Sequence, residues 1–450
     1  MKTKILGAGL AGLSCSYHIG HEKCRIFEQC ASSMGHAGGY EKFGVDWDYG
    51  PHVSFTKNNY VRELFGSAVA GKLKEHDARI ANYFYGEWLE HPVQFHLGQL
   101  REPLKSTSYQ NFTENHERDD SRAPANYREW LLQSFGQVIT DEFFERYTKK
   151  YWTMSTDKLA TDWIGPRVQK ATIAEVKEGF FAKAAARTNY INRIRYPTSG
   201  GFRSFLKSLA SNADINLNHQ VTHIDLSAKV MFFKNGHEEK YDRLISTIPL
   251  PELVKLSDAP EEVRRASDRL ACTSVVLVNV VVPNAITPPH HWFYVYDSEM
   301  ISSRVSFMPN FALQATAQNR GALQVEVYHS KAEPLAMSSE QLEATVIAEL
   351  KKIGVIDQVE TVHSVDQRWG NVVFDMEREK AQEKILSWLE SFGLARETDD
   401  LLPTTDWLDE AKQAPLGSLI LAGRFAQWKY FWTDDCVLRG RDIGRHMDSQ

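Results

Sequence analysis

The stretch "KTKILGAGLAGLSCSYHI", residues 2–19, decides how the rest of the chain is read. Lys2 and Lys4 ahead of a small-residue apolar run admit a secretory leader, and the run alone admits a buried core segment. The glycine spacing points elsewhere. Gly7, Gly9 and Gly12 stand G-x-G-x-x-G directly after the short run Lys4 to Leu6, and Leu13 to Ile19 continues with helical spacing. Strand, tight turn and helix form a phosphate cradle: the first glycine permits the turn, the second lets a pyrophosphate approach the backbone, and the third lets helix and strand pack closely. Leu10 and Ala11 then fall at the helix N-terminus, whose unpaired N–H groups and partial positive charge suit phosphate. "CRIFEQ" reads as a second strand ending at Glu28, sixteen residues after Gly12, where such a unit needs an acid for the ribose hydroxyls. The leader reading is therefore dropped.

At 450 residues the chain predicts two or more domains with ample core. Its 42% hydrophobic and 24% charged residues are those of an ordinary soluble protein, and a net charge of −6 supplies no global field for nucleic acid or anionic membrane. Local arginine clusters then need local anionic targets. The longest apolar run, "SVVLVNVVV" at 274–282, is too short to span a bilayer and predicts a buried strand. Five cysteines without a C-x-x-C pair predict reduced thiols, a cytoplasmic home and no catalytic cysteine.

A second flexible run at Gly35, Gly38 and Gly39 and the turn Gly50-Pro51 follow Glu28. Two glycine-rich turns this close predict an extended dinucleotide, which suits FAD better than NAD. Residues 61–190 are mostly helical in pattern, with Trp130, Leu131, Phe135, Val138, Ile139, Phe143 and Phe144 at three- and four-residue spacings and a polar loop expected at 106–126. Residues 220–248 predict strands with a hairpin at Asn235-Gly236. Residues 270–330 predict an antiparallel sheet, residues 338–353 and 377–393 amphipathic helices, and the tail a buried strand, a Gly-Arg turn and a closing helix. The predicted fold is α/β: a Rossmann-like FAD-binding domain from 1–60, 197–255 and 412–450, an inserted mainly helical substrate domain at 61–196, and an antiparallel-sheet substrate domain at 256–411.

The segments "ILGAGLAGLS", "FEQ", "GHAGGY", "DYGPHVSF", "YPTSGGFRSFLKSL", "ISTIPLPEL" and "AGRFAQWKYFW" together resemble the flavoprotein superfamily of amine oxidases, protoporphyrinogen oxidases and UDP-galactopyranose mutases. "FFERYTKKYWTMSTDKLATDWIGPRV", "FYVYDSEMISSR" and "GRFAQWKY" look like the longer, eukaryotic-type mutases, and the likeness runs from residue 4 to about 445. It implies interconversion of pyranose and furanose forms of a nucleotide sugar, with reduced FAD as the nucleophile through N5 and no net redox change.

By the same resemblance Arg304, paired with Tyr294, would bind the diphosphate, Arg424 the sugar-phosphate, and Tyr430 would donate to a phosphate oxygen. Arg167, Gln94, Phe143 and Trp152 would line the nucleotide and sugar pocket. His52 would lie beside the flavin, and Gly38, Gly39, Val221, Gly423, Asp434 and Val437 would join Gly7, Gly9, Leu10, Ala11, Gly12 and Glu28 around FAD. Plainer alternatives stand beside several of these: a salt bridge for Arg167, packing for Tyr430, and helix capping for Asp434 and Asp435. His91, Thr148 and Asn371 depart from the family's Tyr, Asn and Tyr, and these departures leave the base and the sugar open. Two further readings are an oxidase or desaturase on the same fold and a catalytically lapsed flavin-binding protein. Oligomeric state and the flavin's reductant are not readable from the sequence.

Overall fold

The opening strand, Thr3–Leu6, is buried along its whole length, as a central parallel strand must be when other elements cover both its faces. The computed structural model describes residues 3–117, 122–182, 191–286, 288–312, 320–407 and 416–448. Thr3–Leu6 lies in the middle of a five-stranded parallel sheet, in the order Leu419–Leu421, Arg243–Ser246, Thr3–Leu6, Cys24–Phe27, Ile215–Asn216. These strands come from the beginning, middle and end of the chain. The helix Leu10–Ile19 packs beside the closing helix Thr433–Asp448, where Ser14 donates to the Val437 carbonyl at 2.9 Å.

A seven-stranded sheet forms the second layer, in the order Thr361–Val372, Cys272–Val282, Gly321–His329, Arg304–Phe307, Trp292–Val295, Ile80–Phe84, Glu87–Glu90. It departs from the expected antiparallel sheet in two ways. Trp292–Val295 and Ile80–Phe84 run parallel, and the last two strands come from the segment read as mainly helical. Register places Asn82 opposite Tyr294, Tyr294 opposite Arg304, and Arg304 opposite Glu326. One transverse row of the sheet therefore carries four polar residues.

A second polar row docks this sheet onto the hairpin Gly39–Lys42 and Val45–Asp48. Gln324 donates to the Asp48 carbonyl at 2.9 Å and to Asn279 at 2.8 Å, and Asn279 donates to the Tyr40 hydroxyl at 3.0 Å. Pairing these buried groups keeps the seam from costing their desolvation.

The third layer is helical. The amphipathic run at 127–152 divides into Tyr127–Ile139, a π-helical turn Thr140–Glu145, and Arg146–Trp152, with Gly136 at φ 76°. The loop expected over 106–126 is corrected: Leu104–His116 is a helix, and residues 118–121 lie outside the described residues. Its apolar stripe is narrow, with Phe112 fully buried, and Thr107 and Thr113 return their hydroxyl hydrogens to carbonyls four residues back. Such a helix rests on tertiary packing rather than on its own periodicity. Elsewhere the Asn235-Gly236 hairpin joins Val230–Phe233 to Glu238–Lys240, and helices occupy Ser339–Ile353 and Arg378–Glu390.

Enclosure keeps several histidines neutral. Burial pushes His91 down to about 3 and His36, His52, His291 and His363 to about 4. Below pH 6.5 the unfolded chain takes up protons on these rings that the folded chain refuses, so stability falls with pH. Asp48, raised to about 7, and Asp435, raised to about 6, act in the opposite sense, but two groups oppose five. The melting temperature of the flavin-loaded protein is expected to drop between about pH 7 and about pH 5; a rise over that range would mean these rings ionise in the fold.

Candidate active site

One cavity of about 890 Å³ runs from the first glycine turn to an aromatic chamber beneath the seven-stranded sheet. At its first end Gly7, Gly9, Leu10, Ala11, Glu28, Gly35, His36 and Gly423 form the wall. A Cβ on Gly12 would stand 2.0 Å from the Gly7 carbonyl oxygen, so helix and strand meet there only without a side chain. A Cβ on Gly9 would meet nothing closer than the Gly35 Cα at 3.9 Å. That open face is where a pyrophosphate can reach the helix N-terminus. Glu28 accepts from the backbone N–H groups of Ala8 and Cys30 at 2.8 and 2.9 Å. This fixes the carboxylate at the strand end with lone pairs left for ribose hydroxyls. These residues fit FAD in an extended conformation.

Several expected cofactor residues stand outside this wall. Gly12 packs helix on strand, Gly39 pairs with Asp48 in a hairpin, and Gly38 donates to the Gly35 carbonyl at the turn. Val221 begins a strand of a separate three-stranded sheet, and Val437 is buried where its carbonyl takes the Ser14 hydroxyl. Asp434 sits in the first turn of the closing helix, while Asp435 accepts from Trp432 N at 2.7 Å and Trp407 Nε1 at 2.9 Å. The capping alternative describes Asp435.

His52 lines the middle of the cavity and its Nδ1 donates to the Gly50 carbonyl at 2.8 Å. Burial first, then Arg424, His36 and Arg304, hold it neutral. It presents an acceptor at Nε2 and no acidic proton at neutral pH. Cys436 also lines the cavity, but burial raises its thiol to about 12, which fits the expectation of no catalytic cysteine.

The far end gathers Tyr294, Arg304, Glu326, Tyr328 and Asn371 from the sheet, Phe143, Tyr147, Thr148, Tyr151 and Trp152 from the helical layer, and Gln94, Arg167, Arg424 and Tyr430 from the connecting segments. The π-helical turn brings Phe143 to this wall, a displacement typical of functional sites. Gln94 donates to the Gln169 carbonyl at 3.1 Å. Asn371 accepts from Tyr151 at 3.2 Å and stands 3.5 Å from Arg424 Nη1. Arg167 donates to the Tyr430 carbonyl at 2.8 Å and lies 4.2 Å from the Tyr430 ring centroid and 4.4 Å from that of Trp432. Arg424 donates to the Phe431 carbonyl at 2.6 Å, lies 5.6 Å from the same Tyr430 ring, and has no carboxylate partner among the described residues.

Arg304, expected to bind the diphosphate, donates from Nε and Nη2 to Glu326 at 2.7 and 2.6 Å, because the strand register sets the two directly opposite. Glu326, Tyr328, Tyr147 and Tyr151 were missed from the sequence. The available signal was "QVEVYH" at 324–329, whose alternation puts Glu326 and Tyr328 on one face of a buried strand. The Tyr147 hydroxyl is buried without a hydrogen-bond partner among the described residues, which leaves it a donor or acceptor for a ligand.

Four arginines and two glutamates are the charged residues in the wall: Arg167, Arg304, Arg368 and Arg424 against Glu28 and Glu326. Arg368 is neutralised by Glu252 at 2.7 Å. Among the described residues no helix is long and apolar enough to cross a membrane, and no His, Cys, Asp and Glu cluster could hold a metal ion.

A family model described as flavin containing amine oxidoreductase matches residues 10–443. Among solved structures, a reduced UDP-galactopyranose mutase aligns over 100% of this chain and 94% of its own, with TM-score 0.88 and 21% identity. Putrescine oxidase bound to putrescine aligns over 100% of both chains, with TM-score 0.62 and 12% identity. A fatty acid isomerase from P. acnes aligns over 98% of this chain and 97% of its own, with TM-score 0.62 and 12% identity. At these identities the likeness is one of fold.

The two glycines of the turn give separable outcomes. Gly9→Ala is expected to leave folding intact and to weaken flavin binding about tenfold or more by filling the phosphate approach. Gly12→Ala is expected to cost about 2 kcal/mol or more of stability through overpacking. Chemical denaturation and flavin titration check both, and equal behaviour of the two variants would contradict the assignment.

Proposed function

The chain belongs to the flavin containing amine oxidoreductase family, and within it we propose a mutase that interconverts pyranose and furanose forms of a nucleotide sugar. The observation that carries this reading is the charge of the chamber: the Arg424 guanidinium lines it with no carboxylate partner among the described residues. A half-buried guanidinium without a counter-ion is costly, and a diphosphate offsets that cost. An ammonium substrate would add to it. The likeness to reduced UDP-galactopyranose mutase supports the same choice.

FAD, held by Gly7, Gly9, Leu10, Ala11, Glu28 and Gly423, supplies an electron-rich nitrogen when reduced. The protein's part is to hold the sugar diphosphate near it. Arg424 takes the first phosphate contact, with Tyr430 donating its hydroxyl. Arg304 keeps N–H donors beyond its two bonds to Glu326, and Glu326 holds that fork in place. Phe143, Trp152 and Tyr151 exclude water, and Gln94 and Arg167 complete the wall. His52 anchors the loop beside the flavin and transfers no proton at neutral pH.

One observation favours the second reading, an oxidase. The Arg304–Glu326 pair cancels the one positive charge expected on the sheet side. Chemistry separates the two. With the flavin reduced by dithionite in the absence of air, UDP-galactose or a related nucleotide sugar is expected to isomerise without oxygen consumption. Stoichiometric flavin reduction by the substrate would instead assign an oxidase. Arg424→Met is expected to weaken nucleotide-sugar binding about tenfold to a hundredfold while keeping the flavin spectrum; unchanged affinity would remove Arg424 from the site.

A further inference from the structure

The chamber offers many hydrogen-bond donors, and His91 supplies an acceptor among them. Asn82 is fully buried, and its Nδ2 donates to the Glu90 carbonyl at 3.2 Å. That bond fixes the amide orientation, so Asn82 Oδ1 accepts from His91 Nδ1 at 3.0 Å. The proton of the neutral imidazole therefore sits on Nδ1, and Nε2 keeps its lone pair. His91 lines the cavity, and its Nε2 has no protein partner among the described residues. Burial, followed by His96, pushes the ring down to about 3, so it stays neutral in ordinary buffers.

The position of this acceptor is set by the sheet. Asn82 faces Tyr294, and Tyr294 faces Arg304. The His91 and Tyr294 ring centroids are 4.9 Å apart. The lone pair thus lies one aromatic ring away from the guanidinium of Arg304. A ligand whose anionic group reaches the arginines can place a neutral polar hydrogen at His91.

We propose that His91 determines substrate specificity by accepting, at Nε2, a hydrogen bond from a neutral N–H or O–H donor of the nucleotide sugar. The proposal rests on the nucleotide-sugar reading. The shared chemistry is a neutral donor, and its two possible sources are a nucleobase N–H and a sugar hydroxyl. Loss of the partner would leave a buried acceptor unsatisfied, which is how a polar site rejects an analogue lacking the donor.

The test is calorimetric titration of the flavin-loaded protein with UDP, N3-methyl-UDP, UDP-galactose and its monodeoxy analogues. Wild type is expected to bind one donor-masked analogue about tenfold more weakly than its parent. A loss on N3-methylation assigns the base, and a loss on one deoxygenation assigns that hydroxyl. His91→Phe is expected to lose the same factor on the parent ligand and to stop distinguishing it from the masked analogue, while His91→Gln, which retains an acceptor, recovers affinity. If wild type binds every masked analogue as tightly as its parent, or if His91→Phe binds the parent as tightly as wild type, the assignment of His91 is wrong although the functional reading stands. If wild type binds no nucleoside diphosphate, both fail. If His91→Phe does not fold, His91→Gln decides the question: retained affinity for the parent and retained discrimination against the masked analogue support the assignment, and wild-type binding of every masked analogue overturns it.

Discussion

The registered row Asn82, Tyr294, Arg304, Glu326 is the constraint on which the chamber depends. Strand periodicity is two, so a one-residue slip in any of these pairings would turn that strand's contribution to the other face. The row is held from outside as well. Glu349 takes hydrogen bonds from Ile301 N, Ser302 N and the Ser302 hydroxyl, and Lys150 donates to the carbonyls of Val295 and Ser302. The connection between Tyr294 and Arg304 is thereby tied to a helix on each side, and the arginine is presented on regular strand rather than on a loose loop.

Charge follows from that geometry. Glu326, set directly opposite by the strand register, neutralises Arg304, so the unbalanced positive charge of the chamber lies on the loop side, where Arg424 bears on Tyr430. An aromatic face and a backbone carbonyl hold the Arg424 guanidinium without cancelling its charge. A site organised this way is poised for an anion that arrives with the substrate.

The cofactor end was legible in the sequence because its physics is local. The spacing of Gly7, Gly9 and Gly12 and the acid at Glu28 each act within a few residues of the turn. The Asn235-Gly236 hairpin and the long helices were legible for the same reason. The Arg304–Glu326 pair was not, since twenty-two residues separate partners that only strand pairing brings together. The helix Leu104–His116 was hidden by its polar surface, and the π-helical turn by an apolar pattern that an unbroken helix explains equally well. Gly38, Gly39, Val221 and Val437 lie outside the cavity wall, in turn, hairpin, strand and helix positions that only the tertiary fold sets.

The central claim is that the chamber's unbalanced positive charge selects an anionic substrate beside the flavin. Its most direct measurement is the dissociation constant of UDP against that of putrescine on the same flavin-loaded protein under the same buffer. The account predicts saturable binding of UDP, weakened by added salt, and no binding of putrescine. Binding of putrescine with bleaching of the flavin, and none of UDP, would contradict it.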